Sequence, residues 1–433
     1  MIINQYLDSN KQFLIIGLIW LFVGIYLGPV YFVLIPAMLL LMYKKQMHLE
    51  ILLGFFLILT LSDSRSQNFL FAANIKNVYI VLISLFSYQE MKNSNLRIDF
   101  YKYFLPFFII AFICIFFNPN MFLSFQKVLS YVLLFCFLPT YFLIVYKKYG
   151  DDLLRSIFWL VCVILFLGIL FNFFNSNLTV LVGRYRGLLG NPNGLGLYVF
   201  LFLIFFSVVI NEKPDIVSRN EKIIIYGICF FSLLKCGART SLASTLIYFF
   251  FKKFYKLSPI IGFFIFILTL VIYQIISDNL IEIITSLGLG DELRVSTIEN
   301  GSGREVAWKF AWEQINQNFF LGKGFSYTEY IYRANYEYLS LLGHEGAAHN
   351  SFLTFWLDVG IIGLVLFLMA LFVTFLNLAK LNRSAIPILY AVLFSNQYES
   401  WLTASLNPFT IQFIFIISFI FFAKHLSDDR ITN

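Results

Sequence analysis

Residues 183–196, GRYRGLLGNPNGLG, set two arginines, a proline and several glycines between apolar runs near 155–173 and 193–210. Each run is long enough to cross a bilayer as a helix, so the polar stretch reads as a turn between two membrane spans. An arginine near the bilayer core costs about 2.5 to 3.5 kcal/mol on insertion scales. A pair kept at a span boundary therefore implies a buried carboxylate or an anionic ligand, and the ligand is the stronger reading.

The same alternation of apolar run and short charged loop continues in both directions. Runs near 12–28, 29–43, 49–62, 69–88, 101–118 and 122–146 precede the turn, and runs near 221–236, 240–252, 257–277, 351–378, 384–398 and 408–424 follow it. The total is fourteen. The pairs split at Pro29 and at Gly237 are short enough to be hairpins, which leaves twelve full crossings as the alternative. A chain that is 60% hydrophobic and 13% charged, with a mean hydropathy of +0.80, is not an ordinary soluble domain. Strands of a transmembrane barrel are shorter and alternate in polarity, which excludes that class too. The expected fold is all-α: a polytopic bundle of about 12 to 14 transmembrane helices, one integral membrane domain over residues 1–433. No small-residue cleavage site follows the first run, from about Phe13, so that run is expected to stay as a span.

Charge sets the orientation. Loops after every second span carry Lys44 and Lys45; Lys92, Arg97 and Lys102; Lys147, Lys148 and Arg155; Lys213, Arg219 and Lys222; Lys252, Lys253 and Lys256; Lys380 and Arg383. The positive-inside rule places these loops and both termini in the cytoplasm. Anchoring against anionic lipid accounts for most of the net charge of +7, so no nucleic-acid partner is implied.

The exceptions locate the working face. Arg184, Arg186 and Arg239 fall on the outer side, and the one long outer segment, residues 278–350, adds Arg294, Arg304, His344 and His349. A connection of that length is usually functional. Within it Trp308, Trp312, Ile315 and Phe319 recur at helical spacing, with Lys309, Glu313 and Gln317 elsewhere, predicting an amphipathic helix at the membrane surface. Three outer helix starts stand out: Asn191 as N-cap with Pro192 at the first position, Arg239 ahead of Thr240 and Ser241 as capping residues, and His349 ahead of Asn350 and Ser351. If the three converge, their backbone N–H groups and the guanidinium forks form an anion site.

Read in order, RYRGLLGNPN, ARTS, GREVAW, FFLGKGF and HNSFLTFWLDVGIIG, over about residues 180–375, resemble the O-antigen ligase and polymerase superfamily of bacterial envelope proteins. The resemblance implies transfer of a glycan from undecaprenyl diphosphate at the outer face of the cytoplasmic membrane. The acceptor is the lipid A core in a ligase and another lipid-linked repeat unit in a polymerase, which also implies a chain-length regulator as partner. It further implies independence of metals and cofactors, and a catalytic histidine in the HN motif, here His349. The N-terminal third carries no such motif and reads as scaffold.

The residues suit that chemistry on their own terms. Transfer from a diphosphate-linked sugar needs the leaving diphosphate stabilised and the acceptor hydroxyl deprotonated. Arginine keeps its proton, so Arg239 with Arg186 or Arg184 is the candidate for the first task and His349 for the second. Arg184, Asn191, Asn193, Arg304 and Glu399 are candidate substrate contacts. With no carboxylate placed as a covalent nucleophile, direct inverting displacement is expected. The competing readings are structural: one of Arg184 and Arg186 snorkels to headgroups, Arg239 pairs with Glu399, and His349 is a bystander beside an N-cap. His344 and Glu345 are reserve acid or base groups.

Other signals are negative. The cysteines at 114, 136, 162, 229 and 236 lie in or beside spans without paired spacing, and no Walker-type loop is present. Lys76 and Lys127 lie in spans without a matching array of carboxylates, which speaks against a proton relay. A glycan transporter or flippase, the alternative class, would place polar motifs in both halves, whereas here they gather in the second. A polymerase is preferred to a ligase.

Overall fold

The computed structural model describes residues 10–94, 99–253, 259–278 and 304–431. Arg97, Lys256 and Arg294, with residues 279–303 of the long segment expected on the outer side, lie outside the described residues.

Every one of the fourteen apolar runs is helical, the run 351–378 with one break. In chain order these are α1 (Lys11–Tyr26), α2 (Tyr31–Lys44), α3 (His48–Asp63), α4 (Leu70–Ser94), α5 (Tyr101–Cys114), α6 (Met121–Tyr149), α7 (Asp151–Phe174), α8 (Pro192–Glu212), α9 (Arg219–Cys236), α10 (Arg239–Lys253) and α11 (Pro259–Asp278). The long segment between α11 and the next apolar run contributes α12 (Arg304–Gln317), α13 (Tyr327–Ala334) and α14 (Tyr336–Leu341), and α15 (Ser351–Leu381), α16 (Ala385–Tyr398) and α17 (Pro408–Ile431) complete the chain. Five stretches among the described residues are long and apolar enough to cross a membrane: Gln67–Asn93, Met121–Tyr149, Asp151–Phe174, Pro192–Glu212 and Ser351–Leu381. A helix satisfies all its backbone groups internally, which is why apolar runs of this length take that form in lipid.

The chain forms two compact units. The first comprises Met1–Tyr101, Leu129–Thr245 and Ala404–Asn433. At its centre α8 packs against α9 and α17 and is buried on every side from Leu195 to Val209, as a helix apolar all round should be. Phe56 stacks on Tyr198 and meets Phe415 edge-on across this core. A Cβ at Gly196 would meet the Ala238 Cβ at 2.5 Å, so this glycine lets the start of α10 approach α8 closely. Lys76 donates to the Leu406 carbonyl at 3.1 Å and acts electrostatically on Asp63 at the end of α3.

The second unit comprises Lys102–Val128 and Leu246–Thr403, built around α15. Phe107, Phe355 and Phe367 form its aromatic centre. Lys127 pairs with Glu329, so both intramembrane lysines have an acidic neighbour that the linear sequence does not show.

Two expectations are corrected here. The run 351–378 is not one uninterrupted helix, because Gly360 (φ 70°, ψ 178°) breaks it. The groups freed by the break pair with residues 319–324: Lys323 N–H donates to Leu357 O, Gly324 N–H to Asp358 O, Ile361 N–H to Phe319 O and Ile362 N–H to Phe320 O. Non-helical backbone is tolerated beside a bilayer only when partnered in this way. The buried face of the amphipathic helix α12 is also shifted: Ile315 lies in it as expected, but Phe319 falls past the helix end. Ala307, Phe310, Ala311 and Ile315 enter the core with Tyr332, Leu339 and Leu357, whereas Trp308 is half-buried and Trp312 is exposed. Small residues allow α12 to pack directly on α15, and the bulky indoles are left at the edge, where Trp312 meets Trp356 edge-on.

Candidate active site

In the first unit the arginine stretch folds as a hairpin, the one strand pair among the described residues. Strands β1 (Val180–Leu181) and β2 (Arg184–Tyr185) pair antiparallel, with Leu181 opposite Arg184. Val182 and Gly183 both take positive φ, the geometry of a tight two-residue turn. Arg184 is committed to the scaffold: it donates to Cys236 O at 3.0 Å, Gly237 O at 3.0 Å and Asn193 Oδ1 at 3.1 Å. A cation at the C-terminus of α9 is favoured by the helix dipole. Arg186 is placed differently. Its terminal nitrogens reach Leu178 O at 3.2 Å and Gly190 O at 3.4 Å, its Nε is buried and meets no acceptor, and it forms no ion pair among the described residues. Its positive charge is the one in this hairpin still suited to an anion.

The NPN start behaves as read. Asn191 caps α8, its Oδ1 accepting from Gly194 N–H at 2.7 Å, with Pro192 at the first position. The turn is tied down by Asp63, which accepts from Gly190 N–H at 3.3 Å. The ARTS start differs: Gly237 ends α9 in the left-handed conformation and α10 begins at Arg239, so Thr240 and Ser241 lie inside the helix and cap nothing. Their carbonyls accept from Ser244 and Thr245 instead. The Arg239 side chain is exposed. Asn350 caps α15, its Oδ1 taking Phe352 N–H and Leu353 N–H at 2.9 and 3.1 Å. An asparagine cap thus takes up an amide at the start of α8, and another takes up two at the start of α15.

The second unit brings Arg304, His349 and Glu399 together. The His349 Nδ1 lies 3.7 Å from Glu399 Oε2, and Arg304 Nη2 lies 3.1 Å from Glu399 Oε1. Glu399 is only 9% exposed, Arg304 25% and His349 36%, so of the three the imidazole is best able to meet an incoming molecule. The Arg304 guanidinium lies over the Tyr398 ring, 5.7 Å from its centroid. His349 itself has a φ of 47°, in the left-handed region. His344 is buried behind it, the two rings edge to face at 6.1 Å, and Glu345 is exposed. Tyr332, the next ring inward, donates to Ala307 O at 2.6 Å, and burial pushes its phenol above the ordinary value, so it is a fixed donor and no base.

Two carboxylates escaped sequence reading. Asp358 accepts from Ser326 N–H at 3.1 Å, Thr328 N–H at 2.9 Å and Thr328 Oγ1 at 2.8 Å, anchoring residues 326–328 to α15. An acidic residue inside an apolar run was the available signal. Asp63, beneath the arginine turn, lies at a span end where a carboxylate is unremarked. The five cysteines are free, and Cys114 donates to Leu321 O.

A part-exposed histidine beside a buried carboxylate, in an all-α chain with several helices apolar and long enough to cross a membrane, is an arrangement with the chemistry to move a proton. Residues 223–368 match the family model described as O-Antigen ligase, which supports the resemblance to the O-antigen ligase and polymerase superfamily over that stretch. That family implies glycosyl transfer with lipid-linked glycan substrates. No curated protein matches the chain. Arg239, Arg304 and His349 lie inside the matched stretch; Arg184, Arg186, Asn191, Asn193 and Glu399 lie outside it.

Proposed function

We propose that this chain is a surface-polysaccharide polymerase of the bacterial cytoplasmic membrane. In this reading both termini are cytoplasmic and the site faces outward, where undecaprenyl diphosphate presents the glycan donor and a second lipid-linked glycan is the acceptor. The pairing of His349 with Glu399 carries the reading. With Nδ1–H directed at the carboxylate, Nε2 keeps its lone pair and takes the proton of the acceptor hydroxyl. The hydroxyl oxygen bonds to the anomeric carbon as the bond from that carbon to the diphosphate oxygen breaks, with inversion. The electron pair leaves with the diphosphate, and Glu399 stabilises the imidazolium.

Arg186 and Arg239 are proposed to receive the diphosphate charge. Guanidinium groups stay protonated and match phosphate oxygens in pairs, so the step as written uses neither metal nor cofactor. Arg184, Asn191 and Asn193 shape the turn that presents Arg186. A chain-length regulator belongs with the polymerase reading. The description of the matching family favours a ligase as the second reading, with the lipid A core as acceptor.

Envelope glycan profiling of a deletion strain, complemented with wild type, Arg186→Ala or His349→Ala, tests this. Single repeat units in place of long chains identify a polymerase; full-length chains accumulating on the lipid carrier identify a ligase. Wild-type profiles from both variants reject the site.

A further inference from the structure

Helix α12 sends two side chains, one turn apart, to the two supports of His349. Arg304 holds Glu399 Oε1 at 3.1 Å. Trp308 donates its indole N–H to Ala348 O at 2.9 Å, and its ring lies 6.1 Å from that of Tyr398, the residue over which Arg304 stacks. The need for support is visible in the backbone. His349 holds a φ of 47°, which a residue other than glycine keeps only when its surroundings over-determine it. Ala348 is wholly buried on one side of it. On the other, Asn350 caps α15, and the Ser351 hydroxyl donates to Asn396 Oδ1 at 2.6 Å and is 3.0 Å from Glu399 O.

We infer that Trp308 and Arg304 are positioning residues for the histidine. Trp308 holds the backbone at Ala348 and His349, and Arg304 fixes the Glu399 carboxylate against the imidazole; neither is a contact for donor or acceptor. This reassigns Arg304 from the substrate contacts, and it rests on His349 acting as the base. The role is indirect but exacting, because displacing a reacting group by about 1 Å costs on the order of a hundredfold in rate.

The test uses the full chain in lipid nanodiscs, with lipid-diphosphate-linked glycan extracted from the deletion strain as donor. Trp308→Phe and Arg304→Gln are each expected to lower kcat about ten- to a hundredfold with donor KM unchanged. Arg304→Lys should recover part of the rate, since it keeps the charge and loses only the fork. If Trp308→Phe does not accumulate, 3-benzothienylalanine at position 308 keeps the bicyclic volume without the N–H and gives the same readout. A raised donor KM with unchanged kcat in Arg304→Gln makes Arg304 a substrate contact and overturns the assignment. An unchanged kcat in the position-308 variant overturns the role of Trp308. Full activity in His349→Ala defeats the base reading itself, whereas an inactive His349→Ala beside wild-type rates in the other two defeats only the positioning.

Discussion

The imidazole of His349 and the carboxylate of Glu399 face each other at 3.7 Å, from the start of α15 and the end of α16, with Arg304 on the second carboxylate oxygen. The distance is an ion-pair distance and exceeds that of a closed hydrogen bond, a state common in sites that tighten only around substrate.

Glu399→Gln removes the counter-charge for the imidazolium and leaves the side-chain volume intact. Its kcat is expected to fall about ten- to a hundredfold. Groups acting as a unit are non-additive, so adding Glu399→Gln to His349→Ala should cost nothing further. Turnover of purified single and double variants checks this.

Arg184 and Arg186 separate by readout. Arg184→Gln loses its bonds to Cys236 O and Gly237 O and is expected to destabilise the protein by about 1 to 3 kcal/mol. Arg186→Gln should leave the melting temperature near wild type and raise donor KM. Thermal denaturation in detergent, alongside steady-state kinetics, distinguishes the two.

Gly360→Ala should be among the most damaging small substitutions in the second unit. Its φ of 70° and ψ of 178° suit glycine alone, and an added Cβ would stand 2.1 Å from Phe320 O. A loss of more than about 2 kcal/mol is expected, visible as a lowered denaturation midpoint.

Asp358 and Lys127 test burial against exposure. Asp358→Ala leaves Ser326 N–H and Thr328 N–H short of an acceptor and the Thr328 hydroxyl with only Thr354 O at 3.4 Å, at an expected cost of about 3 kcal/mol. Lys127→Met breaks an ion pair whose glutamate is 55% exposed, and the change should stay within about 1 kcal/mol. Equilibrium unfolding of the two variants gives the comparison.

Much of the fold was legible before any coordinates. The fourteen apolar runs became fourteen helices because a long run of apolar residues has no other way to satisfy its backbone in lipid. Asn191 and Pro192 were readable as a helix start because capping is decided within a few residues. The ARTS start misled because Gly237 closes one helix so abruptly that the next begins at Arg239, ahead of the hydroxyl residues suited to capping. The break at Gly360 was hidden because hydropathy is uniform across LDVGIIG, and only the partner segment 319–324 makes the interruption tolerable.

Residue order alone determined the membrane class, the helix sequence, the outer placement expected for the arginines and the interest of His349, since hydropathy, loop charge and local caps are properties of neighbours along the chain. Tertiary structure alone decided that Glu399 faces His349 and Arg304, that Arg184 is committed to the end of α9 while Arg186 is not, and that Trp308 donates to the carbonyl of Ala348, next to His349. Long polar side chains have many candidate partners of similar energy in a linear sequence. The packing of helices distant along the chain leaves each of them only a few.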